Sequence, residues 1–550
     1  MIYIKMKMNK IFNLFLILFH IGISLSFKCG TDDLKIKPKT LKLKSNIKTS
    51  SILKDTAYTA IKIAYDFTTL SKPSSMTSST FEKVKSILKE TRTEFSKILK
   101  VQHYSIDLSG ELNYIMQSCD LSNIGEGYED FLINNDLIIF PSFESLSSGV
   151  LAAAAPCLIL ENNRPVGGVV YINNNLNFDI INADFYMKNI LLHEITHILA
   201  FHPEFFRRLN MNTTENGISY IKSSGAVAMA KKHFGCDSIT KIPLENQGGS
   251  GSAGSHWEAR YMLGDYMIST DFPDAAFSDI TLALFEDTGF YKVNYYSGGL
   301  FKFGKNKGCS FYPSNTKCIN NEKATFDEFC DTNYQAKCSS SRAIKSSCYI
   351  TRYKSVPSEY QYFSDPQLGG YSSTNYCPVP YESHSDSSYF QRHCRYGTAS
   401  ESLEKMGESS FCFMSSIAES GSVTTRPVCY EVSCDTSNNQ IIITVGSQQV
   451  TCSADGTATI PSSLQGTIEC PTYSELCSSS INGKIYNDMY NTFTKAAANA
   501  GYSYPTSFND YTGDGLYDDD DETITPVRND NYFIKLNSIL LAFGILLYLN

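Results

Sequence analysis

The stretch HEITH, His193 to His197, places two histidines four residues apart with a glutamate beside the first. On a helix the two imidazoles share one face and can hold a metal together, with Glu194 beside them as a base. A catalytic zinc needs a third protein ligand. His202 would lie about 180° around a continued helix from His193, and Pro203 pushes residue 202 toward extended backbone. His202 therefore faces away, and the residue that closes the site must come from downstream. There, SGSAGSHWEARYMLGDYMIS (Ser250 to Ser269) brings His256 after a Gly/Ser run and Met267 eleven residues later.

These side chains need elements to position them. Ile190, Leu191 and Ile198 recur at helical spacing around the motif, so an amphipathic helix beginning near Ala183 is expected, its His193/His197 face toward a cleft. IKIAYDF (Ile61 to Phe67), DLIIF (Asp136 to Phe140) and GGVVYI (Gly167 to Ile172) are short β-branched or aromatic runs that read as strands. Between the first two, Phe81, Val84, Leu88, Phe95 and Leu99 mark a long helix, with Ser79 and Glu82 as a capping-box pair. Strand, helix, strands, helix is the order of an α+β fold with a mixed sheet.

At 550 residues the chain exceeds one compact core, and roughly three or four structural units are expected. A net charge of −9 with no long basic block leaves no footprint for nucleic acid. Lys5, Lys7 and Lys10 precede the apolar run IFNLFLILFHIGIS, and Ser24 and Ser26 suit a cut before Phe27, so 1–26 reads as a signal peptide. Seventeen cysteines, thirteen of them from Cys309 to Cys477 and none in a CxxC pair, point to a secreted disulfide framework rather than thiolate zinc sites. Residues 27–50, polar and lysine-rich, read as a propeptide, and 481–530, with YDDDDE, as an acidic stalk. The apolar end SILLAFGILLYLN is too short to span a bilayer. With the small and polar residues around Asn529 it forms the pattern of a lipid-anchor signal over 531–550, which would tether the chain to the extracellular face of a membrane. Asn212, in NTT, is an acceptor for a glycan.

HEITH, the HWE at His256 and Met267 together resemble the leishmanolysin family of zinc metallopeptidases, metzincins in which a long insertion separates the HExxH helix from a distant HWE histidine and a methionine turn. AAAAPCLILENNRPVGGVVYIN before the helix, and LFEDTGFY and KNKGCSFY after it, also look like the family. The resemblance implies a zincin-type catalytic domain, a mixed sheet plus the HExxH helix over 51–199, with the third ligand and the methionine turn in 200–300. Disulfide-rich, mainly irregular or β domains over 301–480 would follow. It further implies one Zn²⁺ per chain on His193, His197 and His256, Glu194 as general base, Met267 as the floor of the site, and protein or peptide substrates paired along GGVVYI as the edge of the cleft.

Three neutral imidazoles leave zinc one open position, where water becomes acidic enough for Glu194 to take its proton near neutral pH. Glu258 is a competing ligand, although two residues from His256 it points elsewhere on a helix. Removing Cys29 leaves sixteen cysteines, enough for eight disulfides, and a prosegment thiolate can hold such an enzyme latent; precursors of the family use a cysteine this way. One departure stands out, since Ala200 occupies the position of the family's helix-ending glycine. A left-handed exit there would cost alanine roughly 1 kcal/mol, or the chain turns differently. The rival function is a catalytically inactive surface protein that uses the same scaffold for adhesion or as a coat.

Overall fold

The structure, a computed structural model, describes residues 29–31, 34–41 and 53–477, except 148, 177–182, 248–251, 271, 273–274, 296–300, 313–316, 382–388, 408 and 422–423, together with 509–511 and 517–519. The expected signal peptide, Asn529 and the hydrophobic tail lie outside these residues. No helix among the described residues is long and apolar enough to cross a membrane.

The α+β organisation is present. In chain order its first part runs β1 (Lys39–Thr40), β2 (Leu53–Ala60), β3 (Ile63–Tyr65), α1 (Ser78–Ile98), β4 (Leu99–Tyr104), α2 (Leu112–Cys119), β5 (Leu137–Glu144), β6 (Ala152–Ile159), β7 (Pro165–Asn173) and α3 (Ala183–Leu199). The principal sheet has the order β1-β6-β7-β5-β3. In it β3, β5 and β7 run parallel, β6 is antiparallel to β7, and β1 is parallel to β6.

Successive side chains of a strand face opposite ways. On β5, Leu137 and Ile139 enter the core beneath α3, whereas Ile138 and Phe140 join Ile115 and Cys119 of α2 in a second core behind the sheet. A strand covered on both faces becomes continuously apolar, and this corrects the expectation for GGVVYI. That segment lies in β7, an interior strand between β6 and β5, and not at the edge of the cleft. The strand toward the outside is β6, AAAAPCLI, whose free side is engaged by Gly30, Thr31, β1 and Leu41.

Two further expectations shift. The N-cap of α1 is Thr77, whose hydroxyl accepts from the Thr80 amide, rather than Ser79, because the helix begins at Ser78. The run Ile61 to Phe67 contributes only Ile63–Tyr65 as a strand before a short 3-10 turn at Phe67–Thr69.

Gly168 of β7 lets α3 lie close on the sheet, since a Cβ there would stand 2.5 Å from Ile198 Cγ2. Gly168→Ala should therefore lower stability by about 1–3 kcal/mol through overpacking, measurable as a fall in the denaturant midpoint. An unchanged midpoint would show that the helix seat is looser than described.

Beyond α3 come α4 (Pro203–Arg208), a small antiparallel sheet of β8 (Asn212–Glu215), β9 (Ile218–Ile221) and β10 (Ile242–Pro243), α5 (Ser224–Phe234), α6 (Ala259–Met262), α7 (Asp279–Asp287) and β11 (Lys292–Val293), which pairs with β4. The main core continues from Ala60 to Val379, and a separate one spans Leu403 to Cys477 around a five-stranded antiparallel sheet. Eight disulfides join 119–157, 236–309, 318–377, 330–348, 338–412, 394–429, 434–477 and 452–470. Cys29 takes part in none. Within the acidic stretch, Asn509–Tyr511 pairs with Tyr517–Asp519.

Candidate active site

The helix that carries HEITH is not amphipathic in its last turns. Every residue from Asn189 to Leu199 is buried, because β6 and β7 cover one side, α1 another and the turn at Tyr266 a third. Lys188, nearer the start, is tied to α1 through Glu94 at 3.2 Å and Glu90 at 3.3 Å.

The structure brings His193, His197, His256 and Cys29 together, with one ligand atom of each within 4.8 Å of the others. Each imidazole is held through Nδ1. His193 Nδ1 donates to the Tyr266 carbonyl at 2.5 Å, His197 Nδ1 to the Phe201 carbonyl at 2.6 Å, and His256 Nδ1 to the Ser252 carbonyl at 3.0 Å. Burial pushes His193 down to about 4, His256 to about 3 and His197 well below the ordinary range. All three rings are thus neutral, with the proton on Nδ1 and a lone pair on Nε2.

Those lone pairs converge. The Nε2 of His193 lies 3.1 Å from that of His197 and 3.2 Å from that of His256. With both protons committed to carbonyls, no hydrogen bond can form between such nitrogens, and only a cation among them turns the repulsion into attraction. Tetrahedral zinc with Zn–N of about 2.0–2.1 Å sets its nitrogens about 3.3 Å apart, so the donor set fits the metal. Cys29 Sγ, 3.4 Å from His197 Nε2, stands close to the roughly 3.6 Å expected between sulfur and nitrogen ligands of one zinc.

Glu194 is fully buried beside this group. Its Oε2 accepts from the Thr31 hydroxyl at 3.2 Å and the Cys29 thiol at 3.5 Å, while Oε1 has no hydrogen-bond partner among the described residues. Burial raises its carboxyl to about 8 against the pull of these donors. The Thr31 hydroxyl also accepts from the Ala154 amide on β6, and Gly30 donates to the Ala152 carbonyl at 3.2 Å. Gly30 must be glycine to come this near, since a Cβ would meet Val150 Cγ1 at 2.9 Å.

The remaining candidates sit apart. His202 is extended at φ −139° and caps α4, its Nδ1 accepting from the Glu204 amide at 3.2 Å. Glu258 caps α6, accepting from the Arg260 amide. Ala200 avoids a positive φ; its own amide and that of Phe201 both donate to the Thr196 carbonyl, at 3.0 and 2.9 Å, so the exit needs no glycine. Met267 is buried in the turn after α6, where its carbonyl accepts from the Trp257 amide at 2.8 Å. Asn212 opens β8 and is half-buried. The carbonyls of Tyr266, Phe201 and Ser252 were not singled out from sequence, since any residue offers one. Thr31 was legible only through its closeness to Cys29.

Comparison with known proteins gives consistent matches. A family profile described as leishmanolysin covers residues 95–483. A leishmanolysin homolog of Crithidia fasciculata is 30% identical over 397 residues, 67% of this chain and 59% of that protein. The leishmanolysins of Leishmania chagasi (29% over 378 residues, 64% of this chain and 61% of that protein) and Leishmania major (30% over 389 residues, 66% and 62%) are similar to a like degree. The chain thus spans about six-tenths of the length of these relatives.

Proposed function

This chain belongs to the leishmanolysin family, and from that membership we propose that it is a zinc endopeptidase that hydrolyses peptide bonds of extracellular proteins and is made as a latent precursor. The observation that carries the reading is the convergence of three Nε2 lone pairs beside Glu194. Zinc held there supplies a Lewis acid for the scissile carbonyl and lowers the pKa of water at its open position. Glu194, buried beside the three imidazoles, takes the proton of the attacking water as a carboxylate and passes it to the leaving amine. The Ala152 carbonyl and Ala154 amide of β6, engaged by Gly30 and Thr31 in the precursor, are groups with which an extended peptide pairs as an added strand.

The test is cleavage of an unfolded protein by the mature chain, lost on chelation and restored by zinc. A zinc-loaded chain that cleaves nothing would favour the inactive adhesion or coat protein instead.

Latency is supported by the fit of residues 29–31 and 34–41 on the site. Cys29 lies among the three histidines, Thr31 rests on Glu194, and β1 pairs with β6 as far as Leu41, whose amide donates to the Ile159 carbonyl at 2.8 Å. Cys29→Ser should give a precursor with measurable activity before the prosegment is removed, though below that of the mature enzyme because Thr31 and β1 still cover the edge. A zinc-bound Cys29→Ser precursor as silent as the unaltered one would take Cys29 out of the mechanism.

Anchoring is proposed at Asn529. A phosphatidylinositol-specific phospholipase should release the protein from intact cells, and retention while a lipid-anchored control is freed would count against it.

A further inference from the structure

The ligands come from two distant segments, α3 and the stretch after residue 251, so something must fix one against the other. The turn from Gly264 to Met267 touches both. Its Tyr266 carbonyl receives His193 Nδ1, and its Met267 carbonyl receives the amide of Trp257, the residue next to His256. The side chain that shapes this turn is Asp265, which is fully buried. One of its oxygens accepts from the Met267 amide at 2.7 Å; the other accepts from the Ser278 amide at 3.0 Å and the Thr281 hydroxyl at 2.7 Å. Thr281 Oγ in turn accepts the indole N–H of Trp257 at 2.8 Å.

We propose that Asp265, with Thr281 of α7 as its relay, is the positioning residue that holds the two halves of the metal site in register. The carboxylate pins the backbone of the turn that orients the His193 ring. Through Thr281 it also pins the indole beside His256, so one group sets the orientation of ligands 63 residues apart. Asp265 itself touches no ligand, and its effect on the metal passes through Tyr266, Met267 and Trp257. An acceptor on both oxygens is needed, because all three partners of Asp265 are donors. The proposal rests on the zinc reading given above.

Trp257 is the only tryptophan in the chain, which gives the network its own optical signal. Zinc affinity of the mature chain, measured by competition with a chromogenic chelator, is compared with that of Thr281→Val, Thr281→Ser and Asp265→Asn. Loss of partners that orient metal ligands typically weakens metal binding about 10- to 100-fold. Thr281→Val and Asp265→Asn should fall in that range, with Trp257 emission shifted to shorter wavelength in Thr281→Val as its N–H loses its acceptor. Thr281→Ser should restore both readouts. Phe285→Leu, a destabilised variant of the same helix, controls for general loss of stability and should keep its zinc. Unchanged affinity in Thr281→Val despite shifted emission, or equal weakening in Phe285→Leu at matched stability, would overturn the proposal. Zinc absent from the unaltered protein would overturn the metal site itself, and this proposal with it.

Discussion

Glu194→Ala is expected to keep its zinc and lose about 10²- to 10⁴-fold in peptide hydrolysis, the range supplied by a positioned general base. The three imidazoles proposed as the metal's ligands are oriented by contacts in which Glu194 has no part, since their Nδ1 atoms donate to the carbonyls of Tyr266, Phe201 and Ser252. Removing the carboxyl also removes a fully buried group whose titration burial raises against the pull of its donors, so the variant should be no less stable than the parent. Zinc content and hydrolysis measured on the same preparation check it. A variant that hydrolyses at the parental rate would assign the base elsewhere, and one that loses zinc would make Glu194 part of the metal shell.

The second large effect separates two histidines downstream of HEITH. His256→Ala should strip one of three nitrogens from the metal, so that zinc falls toward none per chain under chelator competition and hydrolysis falls with it. The eight disulfides and the cores they staple are untouched, so folding should survive. His202→Ala should retain zinc and hydrolysis. It removes the cap of α4, at a cost of about 1 kcal/mol, visible only as a lower midpoint of unfolding. The reverse pattern, with zinc lost from His202→Ala and kept by His256→Ala, would overturn the assignment of the distant ligand.

How much of this was legible in the sequence follows from what kind of interaction fixes each part. The helix from Ala183 was readable from apolar residues at helical spacing and the strands at Leu137 and Pro165 from β-branched runs, although the last turns of the helix are buried all round and carry no exposed polar face. The order of the strands was not. GGVVYI and AAAAPCLI are both apolar and bounded by turns, and only hydrogen bonding across the sheet decides that β7 is interior and β6 flanks the site. The cap of α1 was misplaced by two residues because TSST offers several hydroxyls, of which Thr77 precedes the first helical turn.

Of residues 34–41 only Lys39–Thr40 pair as a strand, with Leu41 donating to Ile159, and a pairing that short is not legible as a strand in the sequence. Leu41, buried in the core behind the sheet, and Leu34 and Ile36, packed against it, mark the seat. For the site, spacing gave His193, Glu194 and His197, and helix geometry with Pro203 set His202 aside. The link to His256 came from family resemblance, since a gap of 59 residues from His197 has no local signature. Carbonyls that orient the rings, and Asp265, which orients the turn, belong to tertiary structure alone.

Zinc K-edge absorption on the mature chain, together with metal content by mass spectrometry, tests the central claim most directly. One zinc per chain with three nitrogen neighbours at about 2.0–2.1 Å is the predicted result, and the precursor should add one sulfur at about 2.3 Å. Absence of zinc from the folded chain, or a shell built from sulfur without imidazole nitrogen, would contradict it.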